Sequence, residues 1–288
     1  LQENNAIAIV NLTNARVTNI EPLGLKDFSK SGLDPSNRDD SINIQPWPVL
    51  GMYQPDALAL FQQGKRRYLV SSNEGDARDY DGFSEEVRLA DLELDPDVFP
   101  NSEMLLDDAA LGRLRVTNQN GDLDGDGDLD EIHAYGGRSF SIWEVKGRKL
   151  KLVFDSGSDI ENFTASLIPA EFNSTNDEND SFDSRSDDKG PEPEGIELAH
   201  IGGRDYAFIG LERVGGIMLF DITDPKSPVY LQYAITRDFF GDAEEGSAGD
   251  LGPEGLTFIP AADSPNGRNL LLVANEISGS VTVLAVNE

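Results

Sequence analysis

The hydrophobic positions of this chain form short apolar runs that polar, glycine-containing turns separate. In the last run, Val281, Val283 and Ala285 alternate with Thr282 and Leu284. A period of two places successive side chains on opposite faces of a strand. The sequence therefore predicts an all-β chain, in which only residues 84–112 hold stretches that suggest short helices.

Three of the apolar runs open with one motif: proline, an acid, a small residue and an aliphatic residue. The copies are Pro55–Leu58, Pro193–Ile196 and Pro253–Leu256, and each leads to a second strand that ends in another acid. The paired acids are Asp56 and Glu74, Glu194 and Glu212, and Glu254 and Glu276. Their spacing is 18 residues in the first two copies (56 to 74, 194 to 212) and 22 in the third (254 to 276). This regularity indicates an internal repeat.

Repeats of three or four antiparallel strands, each about 40 residues long, are typical of a β-propeller. A β-sandwich or a solenoid would not explain acids at one point of successive units, whereas the inner strands of a propeller would bring them together. We therefore predict one propeller domain over residues 1–288. Residues 6–12 resemble the third strand of a unit, so the chain starts inside a blade. Either residues 1–20 pair with the last strands and close a small ring, or, as we prefer, further blades precede them.

The charge and composition of the chain limit the classes of partner that it can bind. The formal net charge is −30, from 53 acidic and 23 basic residues. Such a chain repels nucleic acids and anionic membranes and suits divalent cations or cationic partners. The chain has no cysteine, which excludes disulfides and thiolate metal sites. No apolar run approaches the length of a membrane span.

The most specific chemical motif is an acidic segment, which we name the acidic loop, residues 120–131. Its candidate ligands for calcium are Asn120, Asp122, Asp124, Asp126, Asp128, Asp130 and Glu131. Calcium-binding loops place oxygen ligands at alternate positions, a glycine at position 6 and often a glutamate at position 12. Numbering from Asn120 puts Gly125 at position 6 and Glu131 at position 12, whereas numbering from Asp122 puts His133 at position 12. We prefer the first register, and we predict a structural calcium site within an insertion over residues 113–133.

The six repeat acids form a second candidate metal site. Clustered carboxylates either hold metal ions or cap strand ends by accepting backbone hydrogen bonds. Arg78 lies in an acidic segment after Glu74, which is either a solvated loop or a ligand site. Arg138 is either an ion-pair partner of the repeat acids or an anion contact.

Several longer motifs stand out along the chain: Gly51–Ala57, Asn73–Arg78, Gly136–Trp143, Arg185–Gly195 and Asp250–Gly255. Together they resemble one family, the choice-of-anchor I proteins of bacterial surfaces. The resemblance implies a secreted or cell-surface propeller of about seven blades, part of a longer chain and in places followed by an anchor. It also implies an alternative activity, because some members are labelled alkaline phosphatase and the propeller is similar to phytase-like propellers that hold calcium.

The sequence thus supports two functions. The first is an extracellular calcium-binding protein with a binding or structural role toward cell-surface components. The second is a calcium-dependent phosphoesterase, in which channel acids hold the metal and Arg78, Arg138 and Arg213 bind a phosphate ester. Its catalytic candidates are Glu194, Glu254, Arg138 and Arg213.

Overall fold

A computed structural model describes residues 1–287, which form twenty strands and a few short helices. The strands are β1 (Ala6–Asn11), β2 (Arg16–Pro22), β3 (Leu25–Asp27), β4 (Val49–Met52), β5 (Leu58–Gln63), β6 (Arg66–Asn73), β7 (Asp79–Tyr80), β8 (Phe83–Ser84), β9 (Glu86–Arg88), β10 (Arg115–Thr117), β11 (Ile132–Tyr135), β12 (Ser139–Lys146), β13 (Lys149–Asp155), β14 (Pro193–Ile201), β15 (Arg204–Leu211), β16 (Ile217–Asp221), β17 (Val229–Ala234), β18 (Pro253–Ile259), β19 (Asn269–Asn275) and β20 (Ser280–Val286). The α-helices are α1 (Phe28–Ser31), α2 (Ser102–Leu105) and α3 (Asp159–Leu167), and 3-10 turns span Gln2–Asn4, Leu89–Asp91 and Pro169–Glu171. The all-β prediction is confirmed.

Three antiparallel sheets carry the repeats. The first has the strand order β5-β6-β12-β13, the second β14-β15-β16-β17 and the third β18-β19-β20. The first strands are neighbours in space, because β14 contacts both β5 and β18. Each copy of the motif lies at the start of the first strand of its sheet, or just before it. The repeats therefore occupy equivalent places in successive sheets.

The sheets stack in a constant head-to-tail orientation. Val70 of the first sheet and Ile209 of the second share one buried core. Phe208, which faces the other way on β15, shares the next core with Leu271 and Val273 of the third sheet. Neighbouring residues on a strand point to opposite faces, so each sheet uses one face for the unit before it and one for the unit after it. Among residues 1–287 this stack does not close into a ring.

A separate five-stranded sheet, ordered β3-β4-β11-β10-β9, has its own core of residues that includes Phe28, Val49 and Leu114. Most of it comes from the segment between β6 and β12, so the first repeat is interrupted before its third strand. The pairing of β4 with β11 is parallel, since a long excursion separates them in sequence. This insertion carries the acidic loop.

The N-terminal strand predicted at residues 6–12 is confirmed as β1, and it pairs with β2. Within residues 1–287 neither strand pairs with β18–β20, so the expected alternative of a small closed ring does not occur. Ile7 instead lies against the outer face of the first sheet, in a core with Leu69 and Trp143.

The helix prediction is wrong in part. The helical elements within residues 84–112 are α2 and one 3-10 turn. The longest helix of the described residues is α3, which follows β13. Ile160 and Thr164, one helical turn apart, are buried beneath it. A nine-residue helix with two charged residues in its first turn gives too short a periodic signal to be distinguished from a loop by sequence.

Candidate metal centres

The repeat acids converge where the stacked sheets meet. Glu74 follows β6, Glu212 follows β15, and Glu194 lies near the start of β14. We name these three with Asp56, Glu192 and Glu254 the glutamate cluster. Burial, together with the carboxylates of Glu212, Glu74, Asp56 and Glu254, raises the pKa of Glu194 to about 9. The convergence expected of the repeat is therefore present, although Glu276 is exposed and is not among the groups that act on Glu194.

Glu192 is the centre of this cluster, and it was not among the residues predicted from sequence. Its side chain is fully buried. Arg185 donates two hydrogen bonds to Glu192 Oε1, from Nε at 3.1 Å and from its terminal nitrogen at 2.6 Å. Lys189 Nζ lies 2.9 Å and Arg213 Nε 3.0 Å from Glu192 Oε2, as ion pairs rather than well-directed hydrogen bonds. One carboxylate thus meets three cations.

Two opposing effects, burial and the three basic neighbours, set the charge state of Glu192. Burial works against the charged carboxylate, but Lys189, Arg185 and Arg213 outweigh burial and hold the pKa of Glu192 at about 2. Glu192 is therefore a permanent anion at neutral pH. It neutralises basic side chains in a place where unpaired charges would be costly.

The neighbouring glutamates share the same cations. Lys189 Nζ lies 3.6 Å from Glu74 Oε1. Arg213 Nε lies 3.3 Å from Glu212 Oε2, and Asn176 Nδ2 donates to Glu212 Oε1 at 2.9 Å. Burial and the neighbouring carboxylate of Glu192 raise the pKa of both Glu74 and Glu212 to about 7, against the opposing effect of Lys189.

Oxygen atoms of Glu74, Glu192 and Glu212 lie within 4.8 Å of one another, as the ligands of a metal ion would. The ammonium of Lys189, however, lies within ion-pair distance of two of these three residues. A metal ion at that point would compete with a covalently attached cation. The geometry favours a structural ion-pair network over a metal site for this triad.

Glu194 is the exception. Its Oε2 atom is buried and has no hydrogen-bond partner among residues 1–287. A buried carboxyl oxygen without a partner is costly when ionised, so the carboxyl group stays protonated at neutral pH. Asp56 and Glu254, the other first-strand acids, are exposed.

The arginines assigned to phosphate binding are engaged inside the protein. Arg138 is 2% exposed, and it donates to Glu161 Oε1 at 2.8 Å and to the backbone oxygens of Asp34, Ser186 and Asp188. Arg78 forms a two-pronged pair with Glu85, at 3.0 and 2.6 Å. Of the two alternatives for Arg138, the ion pair is the one observed, with Glu161 of α3 in place of a repeat acid.

The acidic loop has a different character, because most of it is exposed. Its two ends are closed by backbone hydrogen bonds from Asp130 and Glu131 to the oxygen of Gly121, at 2.9 and 3.0 Å. A side chain at position 121 would lie 2.2 Å from the oxygen of Glu131, so this closure requires glycine. Leu129 is buried and fixes the loop to the insertion by exchanging backbone hydrogen bonds with Glu93 and Asp95.

Inside the loop, backbone amides hold the carboxylates in place. The amides of Gly125 and Gly127 donate to the two oxygens of Asp122, at 2.6 and 3.1 Å. The amide of Leu123 donates to Asp130 Oδ2 at 2.7 Å. Oxygens of Asp122, Asp124 and Asp130 consequently lie within 4.8 Å of one another.

These three aspartates are positions 1, 3 and 9 of the register that begins at Asp122, with Gly127 at position 6. Glu131 does not belong to the group. Glu131 instead contacts His133 Nε2 at 2.8 Å. The grouping agrees with the register that begins at Asp122, while the register from Asn120, preferred from sequence, stays a prediction.

The carboxylates of the acidic loop are not balanced by basic side chains of the described residues. Within residues 1–287 no lysine or arginine forms an ion pair with an aspartate of the loop. The carboxylate of Asp126 raises the pKa of Asp124, while partial desolvation and Asp126 together raise that of Asp128 to about 6. Mutual repulsion of this kind is relieved by a cation. The loop is thus the better of the two metal candidates.

Helices in the described chain do not provide a membrane crossing, since none is long and apolar enough within residues 1–287.

Comparison with known proteins places the chain in a family. Gigasin-3a of Magallana gigas is 34% identical over 189 residues, which cover 62% of this chain and 66% of that protein. The mesenchyme-specific cell surface glycoprotein of Strongylocentrotus purpuratus is 28% identical over 249 residues, which cover 73% of this chain and 31% of that protein. The chain thus spans somewhat less than two thirds of one relative and about a third of the other. The choice-of-anchor I domain matches residues 1–225, and the chain belongs to the choice-of-anchor I domain family.

Proposed function

We propose that this chain is a calcium-binding part of a secreted or cell-surface protein, with a binding or structural role rather than a catalytic one. The observation that carries the proposal is the arrangement of Asp122, Asp124 and Asp130, whose oxygens already face one another. Calcium takes six to eight oxygen ligands in a flexible geometry. Backbone oxygens and water would complete the shell.

The location rests on the family and on one relative. A cell-surface glycoprotein is among the proteins similar to this chain, and the family is named for its anchoring. A net charge of −30 suits an environment in which divalent cations are abundant.

We further propose that the three stacked sheets are blades of a larger β-propeller. The third sheet supports this, because the face turned away from the second sheet is apolar and exposed. Val281 is 66% and Val283 57% exposed on β20, and Leu272 lies beside Val283 on β19. By the repeat spacing, Leu272 is equivalent to Phe208, which packs against the next sheet in the stack. A further blade would cover this face in the same way.

The phosphoesterase alternative receives less support. It needs basic groups free to bind a phosphate ester, but Arg138 and Arg78 are paired with Glu161 and Glu85. Arg213 is paired with Glu192 and Glu212. Its one favourable observation is Glu194, which a raised pKa keeps protonated as a general acid would be.

Calorimetric titration with calcium tests the proposal. We expect the wild-type chain to bind one calcium ion with a Kd of about 10⁻³ M or tighter, the range of extracellular calcium modules. The double variant Asp124→Ala with Asp130→Ala should lose this binding. Asp263→Ala, which removes an exposed aspartate from a distant turn, is the matched control and should bind normally.

Glu194→Gln separates the two metal candidates. If calcium binding survives this variant and is lost in the loop variant, the ion occupies the acidic loop. Loss in Glu194→Gln alone would move the site to the glutamate cluster. Absence of heat up to millimolar calcium would contradict the calcium proposal, and calcium-dependent hydrolysis of a phosphomonoester that Glu194→Gln abolishes would favour the enzyme.

A further inference from the structure

A third group of acidic and amide side chains lies in the protein interior, apart from the acidic loop and the glutamate cluster. We name Asp34, Glu161, Asn173 and Asp183 the buried oxygen cluster, and none of these residues is more than 3% exposed. They come from three parts of the chain: the connection between α1 and β4, helix α3, and residues 172–192, which contain no helix or strand. The fold therefore encloses three carboxyl groups and an amide.

Hydrogen bonds and charge interactions connect the members of this cluster. Asn173 Nδ2 donates to Glu161 Oε1 at 3.1 Å and to Ser186 Oγ at 2.8 Å. The hydroxyl of Ser186 in turn donates to Asp183 Oδ1. Burial, with a contribution from the carboxylate of Glu161, raises the pKa of Asp34 to about 7. Burial, with a contribution from Asp34, raises the pKa of Asp183 to about 8. The four side chains are therefore neighbours.

Two oxygen atoms of the cluster have no hydrogen-bond partner among residues 1–287. They are Glu161 Oε2 and Asn173 Oδ1, and both belong to fully buried side chains. Turning the amide of Asn173 would not help, because both of its N–H groups already donate to the acceptors beside them. The bond between Asn173 and Glu161 places the two oxygens on adjacent groups. Buried oxygens without a partner are costly, so the pair indicates a ligand that accepts their lone pairs.

The charge of the cluster favours a cation over water as this ligand. Within residues 1–287, Arg138 forms the one ion pair with the three carboxyl groups, to Glu161 Oε1 at 2.8 Å. Arg185 and Lys189, which lie in the same polar segment as Asn173, are instead paired with Glu192. A buried water molecule would satisfy the oxygens but would leave two ionised carboxylates uncompensated in the interior. A divalent cation balances both.

The kinds of ligand atom suit calcium. Calcium binds carboxylate, amide and backbone carbonyl oxygens at 2.3–2.6 Å. Asp34, Glu161 and Asp183 do not form a triad within 4.8 Å among the described residues, but ligands on opposite sides of a calcium ion lie about 5 Å apart, twice the bond length. Magnesium demands near-ideal octahedral geometry and keeps several waters, so an enclosed site suits it less.

We propose that the buried oxygen cluster is a structural calcium site, with ligands from Asp34, Glu161, Asn173 and Asp183. The ion connects α3 and residues 172–192 to the connection before β4. The site does not depend on the acidic loop. Because it is enclosed, the ion exchanges only when this region opens locally. It therefore stays with the chain during purification and does not contribute to a calcium titration of the loop.

Metal analysis of the 288-residue chain tests this site. The chain carries Asp124→Ala with Asp130→Ala, so that the acidic loop does not contribute. After gel filtration in calcium-free buffer, we expect one retained calcium ion per chain. Incubation with EDTA just below the melting temperature should remove this ion. The melting temperature should then be lower in EDTA than in calcium, because an ion that binds only the folded state stabilises it.

Asp183→Asn, made in the same loop-deficient chain, tests the ligands. Asparagine keeps an acceptor for the hydroxyl of Ser186 and removes the charge. Calcium affinity, measured by competition with a chelating dye, should fall at least about tenfold, since even the loss of an outer-shell partner costs about that much. In EDTA the variant should melt at the same temperature as its parent, which separates loss of the ion from loss of the fold.

Asp180→Asn is the matched control. Asp180 lies in the same segment and has a similar backbone conformation, with a φ of +57° against +63° for Asp183, but it is exposed. This variant should retain the ion and the affinity of its parent.

Four results would overturn the proposal. A chain that retains no calcium and melts at the same temperature with and without EDTA would assign the two oxygens to a buried water. Retained magnesium in place of calcium would contradict the choice of ion. Unchanged affinity in Asp183→Asn would place the ion elsewhere, and equal losses in Asp180→Asn and Asp183→Asn would place it on the acidic surface of the segment. The titration of the wild-type chain tests the acidic loop separately.

Discussion

The acidic loop and the glutamate cluster contain the same kind of residue in opposite settings. In the loop, aspartates are mostly exposed and lack basic partners among residues 1–287. In the cluster, Glu192 is fully buried and meets Arg185, Lys189 and Arg213 within about 3 Å. Both groups satisfy the distance criterion for a metal site.

The difference teaches that a set of close carboxylates does not define a metal site by itself. What decides is whether the protein supplies its own cations. In the cluster, one ammonium and two guanidinium groups of the protein itself lie beside the carboxylates, so the negative charge is largely balanced. The loop has only backbone amides as donors, and these orient the carboxylates without cancelling their charge.

The largest loss of stability is expected when the ion pairs of the glutamate cluster are removed. Glu192→Gln removes the anion that three buried or half-buried cations share, and breaking a buried ion pair costs about 3–5 kcal/mol of unfolding free energy. Urea unfolding at pH 7 measures the loss. Because the folded pKa of Glu192 is about 2, its stabilisation is complete above the unfolded value of about 4.3 and disappears as the pH falls toward 2.

Glu254→Gln is the control for this variant, since Glu254 is an exposed repeat acid. Its effect should stay within about 0.5 kcal/mol. A loss below about 1 kcal/mol in Glu192→Gln would show that the network is not structural and would reopen the cluster as a metal site.

A smaller effect, of opposite sign, concerns Glu194. Its folded pKa is about 9, above the unfolded value of about 4.3, so the folded state retains a proton that the unfolded state releases. Stability is therefore lost as the pH rises from about 4 toward 9. Glu194→Gln should match the wild type at pH 4 and exceed it in unfolding free energy at pH 8. Solvent screening of the partly exposed carboxyl reduces the gain.

Unfolding curves at pH 4, 6 and 8 check this dependence. Glu276→Gln, which changes an exposed repeat acid outside the cluster, should show no such trend. A gain for Glu194→Gln that is the same at pH 4 and pH 8 would mean that the carboxyl group is not held protonated.

The smallest effect probes the loop. Gly127 has a φ of +108°, and no described atom lies within 4 Å of the position of an added Cβ. Gly127→Ala should therefore cost only backbone strain, about 1–2 kcal/mol, and weaken calcium binding by displacing the amide that holds Asp122. Calorimetry and urea unfolding of the same samples provide both values.

Gly82→Ala is its matched control, because Gly82 has a φ of +87° and equally open surroundings outside the loop. Both variants should lose similar stability without calcium, but only Gly127→Ala should lose affinity. Equal affinities for the two variants would show that the loop does not hold the ion.

Parts of this picture could be predicted from sequence because their signals are local. Strand alternation at Val281–Ala285 requires only a period of two, and it is confirmed in β20. The spacing of the residues in the loop permits its local contacts, since Asp122 accepts hydrogen bonds from the amides of Gly125 and Gly127 a few residues later. The choice of register is less accessible from sequence, because the contact of Glu131 with His133 depends on side-chain rotamers that spacing does not encode.

Other parts depend on segments that are distant in sequence. Residues 171–189 are polar in sequence and contain no strand, which is typical of a solvated loop, yet Asn173, Asn176 and Ser186 are buried. The acid pattern identified Glu194 and passed over Glu192, two residues earlier, because the repeat uses only the second of two Pro-Glu pairs. No periodicity marks Lys189 as the cation between Glu74 and Glu192.

By itself, the sequence determined the strands, the repeat, the family and the local form of the acidic loop, all of which follow from backbone periodicity and short-range hydrogen bonds. Only the tertiary structure decided which carboxylates are neutralised, since that depends on bringing β6, β14 and β15 together with residues 185–192.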